Sequence, residues 1–110
     1  MKPDTFGRDP VLREIVARLV RAYAPETVFL FGSRARGDDG PDSDYDLLLV
    51  VPDDVDPERR RSRLAYNVLR GVSSAADVLV CTRSYFDRRL HLRASLPGTV
   101  SREGIVLHAA

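Results

Sequence analysis

The sequence predicts an α/β fold, a small mixed β-sheet with helices packed on it. Three observations predict it. Segments with apolar residues at helical spacing alternate along the chain with short runs of Val, Leu and Phe. At 110 residues and 44% apolar content, the chain is long enough for a single domain with one modest core. Its one cysteine, Cys81, excludes an internal disulfide and a cysteine-based zinc site, so packing alone must hold the fold.

The elements follow in order. Asp9 before Pro10 reads as an N-cap with proline at the first helical position. Val11, Leu12, Ile15, Val16, Leu19, Val20 and Tyr23 then recur at helical spacing, and Pro25 ends the run. Residues 27–31, Thr-Val-Phe-Leu-Phe, form a short buried strand. Residues 32–43 carry glycine, proline and aspartate in the pattern of a loop, with room for one helical turn over 33–36 closed by Gly37. In this loop Asp38, Asp39 and Asp42 read as turn formers. Residues 44–51 read as a second strand. Pro57 opens a helix that Gly71 closes, with Leu64, Ala65, Val68 and Leu69 as its apolar stripe. A third strand spans 76–82, a helix capped by Ser84 runs to about residue 93, a short helix covers 97–103, and a last strand covers 105–108. Residues 1–110 make one domain, without repeat or linker.

The longest apolar run, Leu47 to Val51, falls far short of the roughly 18 residues of a membrane span. The start MKPDTFGRD has no signal-like apolar stretch, which points to a cytoplasmic protein with no membrane partner. Seventeen basic against sixteen acidic residues give a net charge of +1, so no global field favours nucleic acid, and direct nucleic-acid binding is not expected. All but one of the bases are arginine, and aspartates crowd between Asp38 and Asp54. Arginine suits bidentate contact with phosphate, and aspartate suits turns and metal sites.

Alternate strand residues share a face, so Asp44 and Asp46 project together at the start of a strand that is otherwise Leu and Val. Two adjacent acids repel, and a divalent cation between them is the economical remedy. Asp77, at the start of the third strand, can join them if the two strands are neighbours. Two acids bridging two ions, with a third completing one shell, is a layout used for in-line phosphoryl or nucleotidyl displacement. Just upstream, Gly32 lets backbone approach a phosphate closely and Ser33 adds a hydroxyl donor. Arg34 and Arg36 follow as candidate phosphate clamps, with surface charges as the alternative. A calcium loop is excluded: Asp42, Asp44 and Asp46 fit positions 1, 3 and 5, but Leu47 and Asp53 stand where glycine and glutamate are needed. Asp77 can also be read as a solvent-facing strand start. The run Arg59-Arg60-Arg61-Ser62-Arg63 reads as a solvated helix face that can also dock an acidic surface or RNA. Cys81 reads as a buried strand residue, His91 and His108 as structural, and Tyr23, Tyr45, Tyr66 and Tyr85 as core or interface residues.

Gly32-Ser33, ten intervening residues and Asp44-Tyr45-Asp46 resemble the Gly-Ser-x10-Asp-x-Asp signature of the DNA polymerase beta-like nucleotidyltransferases. In a chain of this composition the four fixed positions recur by chance about half a per cent of the time. The wording Gly-Ser-Arg-Ala-Arg-Gly over 32–37, the short length and the ending Arg-Glu-Gly-Ile-Val-Leu over 102–107 resemble the minimal nucleotidyltransferases of prokaryotes. Tyr45 departs from the pattern, standing where an aliphatic residue is more usual. The resemblance implies a polymerase beta-like fold, and roles by position. Gly32 and Ser33 would hold the β- and γ-phosphates of ATP. Asp44 and Asp46 would bind two Mg²⁺ ions, with Mn²⁺ as a substitute, and Asp77 would join the catalytic ion and help activate the acceptor hydroxyl. It also implies transfer of AMP to a tyrosine of a helical HEPN-class (higher eukaryotes and prokaryotes nucleotide-binding) toxin, with the small enzyme as antitoxin in a hetero-oligomer. Two alternatives remain at this point: a non-catalytic antitoxin that acts by covering its partner, and nucleotidyl transfer to a small molecule.

Overall fold

The computed structural model describes residues 3–40 and 43–110; the turn reading of Asp42 lies outside the described residues. After a 3₁₀ turn at Pro3–Arg8, which sequence reasoning did not foresee, α1 spans Pro10–Tyr23. Its start is capped as expected: Asp9 Oδ1 accepts from the Leu12 amide at 3.0 Å. Leu12, Ile15, Val16, Leu19 and Tyr23 form its buried face. The strands are β1 (Thr27–Phe31), β2 (Tyr45–Val51), β3 (Ala76–Thr82) and β4 (Ile105–Ala109). They form one mixed sheet in the order β3-β2-β1-β4, with β2 parallel to β3 and β1 antiparallel to both β2 and β4.

Buried on both sides, β2 reads as a continuous apolar run rather than an alternating one. On one face its Leu47, Leu49 and Val51 join α1 and Val28, Leu30 and Val78 in the larger core. On the other, Leu48 and Val50 pack with Phe86 and Val100, flanked by Phe29, Phe31, Cys81 and Leu96. Phe86 belongs to α4 (Arg83–Arg89) and Val100 to α5 (Leu96–Glu103). A one-turn helix, α2 (Gly32–Arg36), links β1 to the loop before β2, and Gly37 closes it in the left-handed conformation at φ +85°. No helix among the described residues is long and apolar enough to cross a membrane.

Two expectations need correction. The helix expected over residues 57–71 is split into a 3₁₀ turn, Pro57–Arg60, and α3, Arg63–Val68, because Arg61 is extended (φ −116°, ψ 145°). The cause comes from far along the chain. The buried hydroxyl of Tyr23 donates to the Arg61 carbonyl and accepts from the Ala65 amide, which stabilises the break. The next helix is capped by Thr82, whose hydroxyl accepts from the Tyr85 amide at 3.2 Å, and it ends at Arg89. Ser84 is engaged elsewhere, its amide and hydroxyl both donating to the Asp53 carboxylate.

Tyr23 and Tyr45 are core residues, whereas Tyr66 (69% exposed) and Tyr85 (41%) stand on the surface. Cys81 is half-buried, and burial pushes its thiol pKa up to about 11. At pH 8 the thiolate is then about 100-fold scarcer than for a thiol near 9. Iodoacetamide should therefore modify native Cys81 at least tenfold more slowly than the unfolded chain; equal rates would contradict the packing described.

Candidate active site

The site forms where β1 ends and β2 and β3 begin. Phe31, the last residue of β1, pairs with Asp46. Gly32 therefore lies directly beside the Asp46 side chain, with φ at +74°. A Cβ on Gly32 would sit 2.3 Å from Asp46 Oδ2, so both the backbone angle and the space demand glycine. On the other side of β2, Asp46 pairs in register with Asp77 on β3. Register partners in a sheet put their side chains on the same face. Asp46 and Asp77 thus stand side by side, in line with Leu48 and Cys81 on the face that α4 and α5 cover. Across the sheet the order is Gly32, Asp46, Asp77.

Asp44 lies just ahead of β2, two residues before Asp46. Asp46 is half-buried, while Asp44 and Asp77 are exposed. The Asp46 carboxyl is held above the usual carboxylate range, first by burial and then by the negative charges of Asp77 and Asp44, with Arg36 opposing. Asp46 thus feels the charges of both other acids. Among the described residues, no three His, Cys, Asp or Glu side chains form a group that could hold a metal ion as they stand.

Arg34 and Arg36 are placed differently. Arg34 is folded into its own loop, donating from Nε (2.9 Å) and Nη2 (2.6 Å) to the Ser43 carbonyl and pairing with Asp39 at 3.4 Å. Its guanidinium carbon also lies 4.1 Å from the centre of the Tyr45 ring. The exposed Arg36 pairs with Asp38 at 3.2 Å.

Tyr45 points to the opposite face from the acids, into the α1 core, and is 4% exposed. Its hydroxyl donates to Asp9 Oδ2 at 2.7 Å, while the other Asp9 oxygen caps α1. Burial and the bond to Asp9 push the Tyr45 pKa up to about 12. Sequence reasoning found Asp9 as a cap but missed this tie; the one signal was a tyrosine where an aliphatic residue is usual. Asp9, Tyr45 and Arg34 together anchor the strand start that carries Asp44 and Asp46. Asp9→Ala should cost about 2–4 kcal/mol, combining a lost cap with an orphaned hydroxyl. Tyr45→Phe should cost less than about 1.5 kcal/mol. Urea denaturation of both variants checks the order, and an equal loss would contradict the shared tie.

A family model described as a nucleotidyltransferase domain matches residues 11–103. No curated protein matches the chain. Among solved structures, it is similar to a candidate nucleotidyltransferase from Sulfolobus solfataricus (24% identity, TM-score 0.60, covering 90% of this chain and 78% of that one). It is also similar to a chain of a toxin–antitoxin complex with AMP-PNP (24%, TM-score 0.57, 87% and 72%). A third likeness is to a complex of the tri-AMPylated Shewanella oneidensis HEPN toxin with an MNT antitoxin (20%, TM-score 0.52, 91% and 73%). These likenesses concern the fold, whereas the family match spans most of the sequence, including Gly32, Ser33, Asp44, Asp46 and Asp77. The chain belongs to the nucleotidyltransferase domain family.

Proposed function

We propose that this protein transfers AMP from ATP to a hydroxyl of a partner protein, a tyrosine of a helical HEPN-type toxin, and thereby acts as its antitoxin. The reading rests above all on one observation: Asp46 is paired with Asp77 on one side and abuts a Cβ-less Gly32 on the other. The chemistry of the donor set fits divalent cations, since three carboxylates are hard oxygen ligands and burial and the neighbouring acids disfavour the charged form of Asp46 unless a cation offsets them. Asp44, Asp46 and Asp77 would hold two Mg²⁺ ions, with Mn²⁺ as a substitute. Bound there, the ions would supply charge neutralisation for the departing pyrophosphate and would acidify the acceptor hydroxyl.

The protein's own groups do the rest. The Gly32 backbone and Ser33 hydroxyl hold the β- and γ-phosphates. Asp77 orients the acceptor hydroxyl and takes up its proton. The acceptor oxygen bonds to the α-phosphorus while the bond from that phosphorus to the bridging oxygen breaks, its electron pair leaving with pyrophosphate. Arg34 positions the loop through Ser43 rather than gripping phosphate, and the exposed Arg36 is the residue left to reach the nucleotide. The complexes described as toxin–antitoxin with AMP-PNP and as tri-AMPylated HEPN toxin with MNT antitoxin support both the nucleotide and the partner. The cytoplasm supplies ATP and Mg²⁺ for this reaction.

The test is to incubate the protein with Mg²⁺, its co-purified partner, and ATP labelled at either the α- or the γ-phosphate. The α-label should move to a partner tyrosine, and the γ-label should leave in pyrophosphate. Transfer of γ-label, or an unmodified partner at the end of the reaction, would contradict the proposal.

A further inference from the structure

In-line displacement requires the acceptor and the leaving pyrophosphate to sit on opposite sides of the α-phosphorus. With the phosphates over Gly32 and Ser33, at one side of Asp46, the acceptor must arrive from the other side, over Asp77. That side is an edge of the sheet, since among the described residues β3 has a strand neighbour only in β2. An apolar groove of about 460 Å³ opens there on the acid-bearing face, lined by Leu48, Leu79, Cys81, Tyr85, Leu96 and Arg60. It is the direct continuation of the acid row, because Leu48 and Leu79 form the next same-face pair after Asp46 and Asp77. Two residues of strand rise put that pair about 7 Å from the acids. Leu79 is 39% exposed on an edge strand, where burial would normally be expected for an aliphatic residue in a continuous apolar row.

The rim is basic. The 3₁₀ turn Pro57–Arg60 packs beside β3, and its Arg59 and Arg60 are exposed, with no ion pair among the described residues. Arg89 on the far side stacks over the Tyr85 ring at 3.8 Å. An apolar slot with free cations on its lip favours a segment that is apolar at its centre and acidic at its flanks, and disfavours a basic one. A free strand edge favours an extended segment over a helix, because unpaired backbone groups can hydrogen-bond to it.

We infer that this groove along β3, lined by Arg60 with Arg59 next to it in the chain, is the docking site of the acceptor protein: it receives an extended segment with acidic flanks and brings its hydroxyl residue to Asp77. The inference rests on the transfer reaction proposed above and adds to it where the acceptor binds and which charge it carries.

Two fluorescein-labelled peptides serve as probes, Glu-Asp-Val-Tyr-Val-Asp-Glu and its basic counterpart Lys-Arg-Val-Tyr-Val-Arg-Lys. Binding is followed by anisotropy at 0.1 M salt, with pyrophosphate release from Mg²⁺–ATP measured separately. The acidic peptide should bind at least about tenfold more tightly, and Arg59→Glu/Arg60→Glu should reverse the preference. Leu79→Ser should weaken binding of the acidic peptide several-fold. Equal binding of the two peptides, no binding of either, or a preference untouched by the arginine reversal would overturn the inference, whatever the pyrophosphate assay reads. Normal peptide discrimination without pyrophosphate release would instead overturn the transfer reaction and leave the docking surface standing.

Discussion

Replacing Asp44 and Asp46 together by asparagine should lower nucleotidyl transfer by at least about 10³-fold while leaving the protein folded, because it removes the charges that hold the reacting groups. The fold should not suffer, because these acids do not hold it together. Burial and the charges of Asp77 and Asp44 raise the Asp46 pKa, so the folded protein binds that proton more tightly than the unfolded chain does. A raised carboxyl pKa favours the fold below the ordinary carboxylate range, and that contribution is lost as pH rises through the folded value. At neutral pH in a chelating buffer, the double variant should therefore be as stable as the parent or slightly more so. Transfer assays and urea denaturation on the same samples test both halves. Undiminished transfer would refute the catalytic role, and a large stability loss would show that the acids are structural. A double variant that still protects cells expressing the proposed toxin partner would favour neutralisation by complex formation alone.

Gly32→Ala should be nearly as damaging to activity, for a geometric reason. The new methyl would lie 2.3 Å from Asp46 Oδ2, and alanine is strained at φ +74°. The backbone term costs about 1–2 kcal/mol. The clash displaces the Asp46 carboxylate, and a displacement of even 1 Å at a reacting centre costs about 10²-fold in rate. Gly71→Ala is the matching control. It has a similar angle, φ +85°, but nothing lies within 4 Å of the added Cβ. The two variants should lose comparable stability, and only Gly32→Ala should lose kcat/KM. Equal activity losses would mean that the Gly32–Asp46 contact is unimportant.

Much of this was legible in the residues because the signals are local. The Asp9-Pro10 start, the stripe from Leu12 to Tyr23 and the strand runs at 27–31 and 76–82 each carry their information within a few positions, and those elements appear at the expected bounds. Gly-Ser and Asp-x-Asp at fixed spacing pointed to the candidate site in the same way, and the fold puts Gly32 against Asp46. What was not legible depends on partners distant in the chain. The break at Arg61 is made by Tyr23, and the Ser84 cap fails because Asp53 takes that side chain. Arg34 turns inward because Ser43 and Tyr45 receive it, which no pattern in the 32–37 segment announces. Asp77 was expected at the site only on the condition that its strand neighbours the second one, and the parallel pairing of β2 with β3 meets that condition.

The most direct measurement is a crystal of the protein soaked with Mn²⁺ and a non-hydrolysable ATP analogue, recorded at the manganese absorption edge. Anomalous peaks should lie among the carboxylates of residues 44, 46 and 77, with the triphosphate chain lying over Gly32 and Ser33. Manganese bound elsewhere, or a residue 77 carboxylate turned away from the ion and the α-phosphate, would contradict the mechanism.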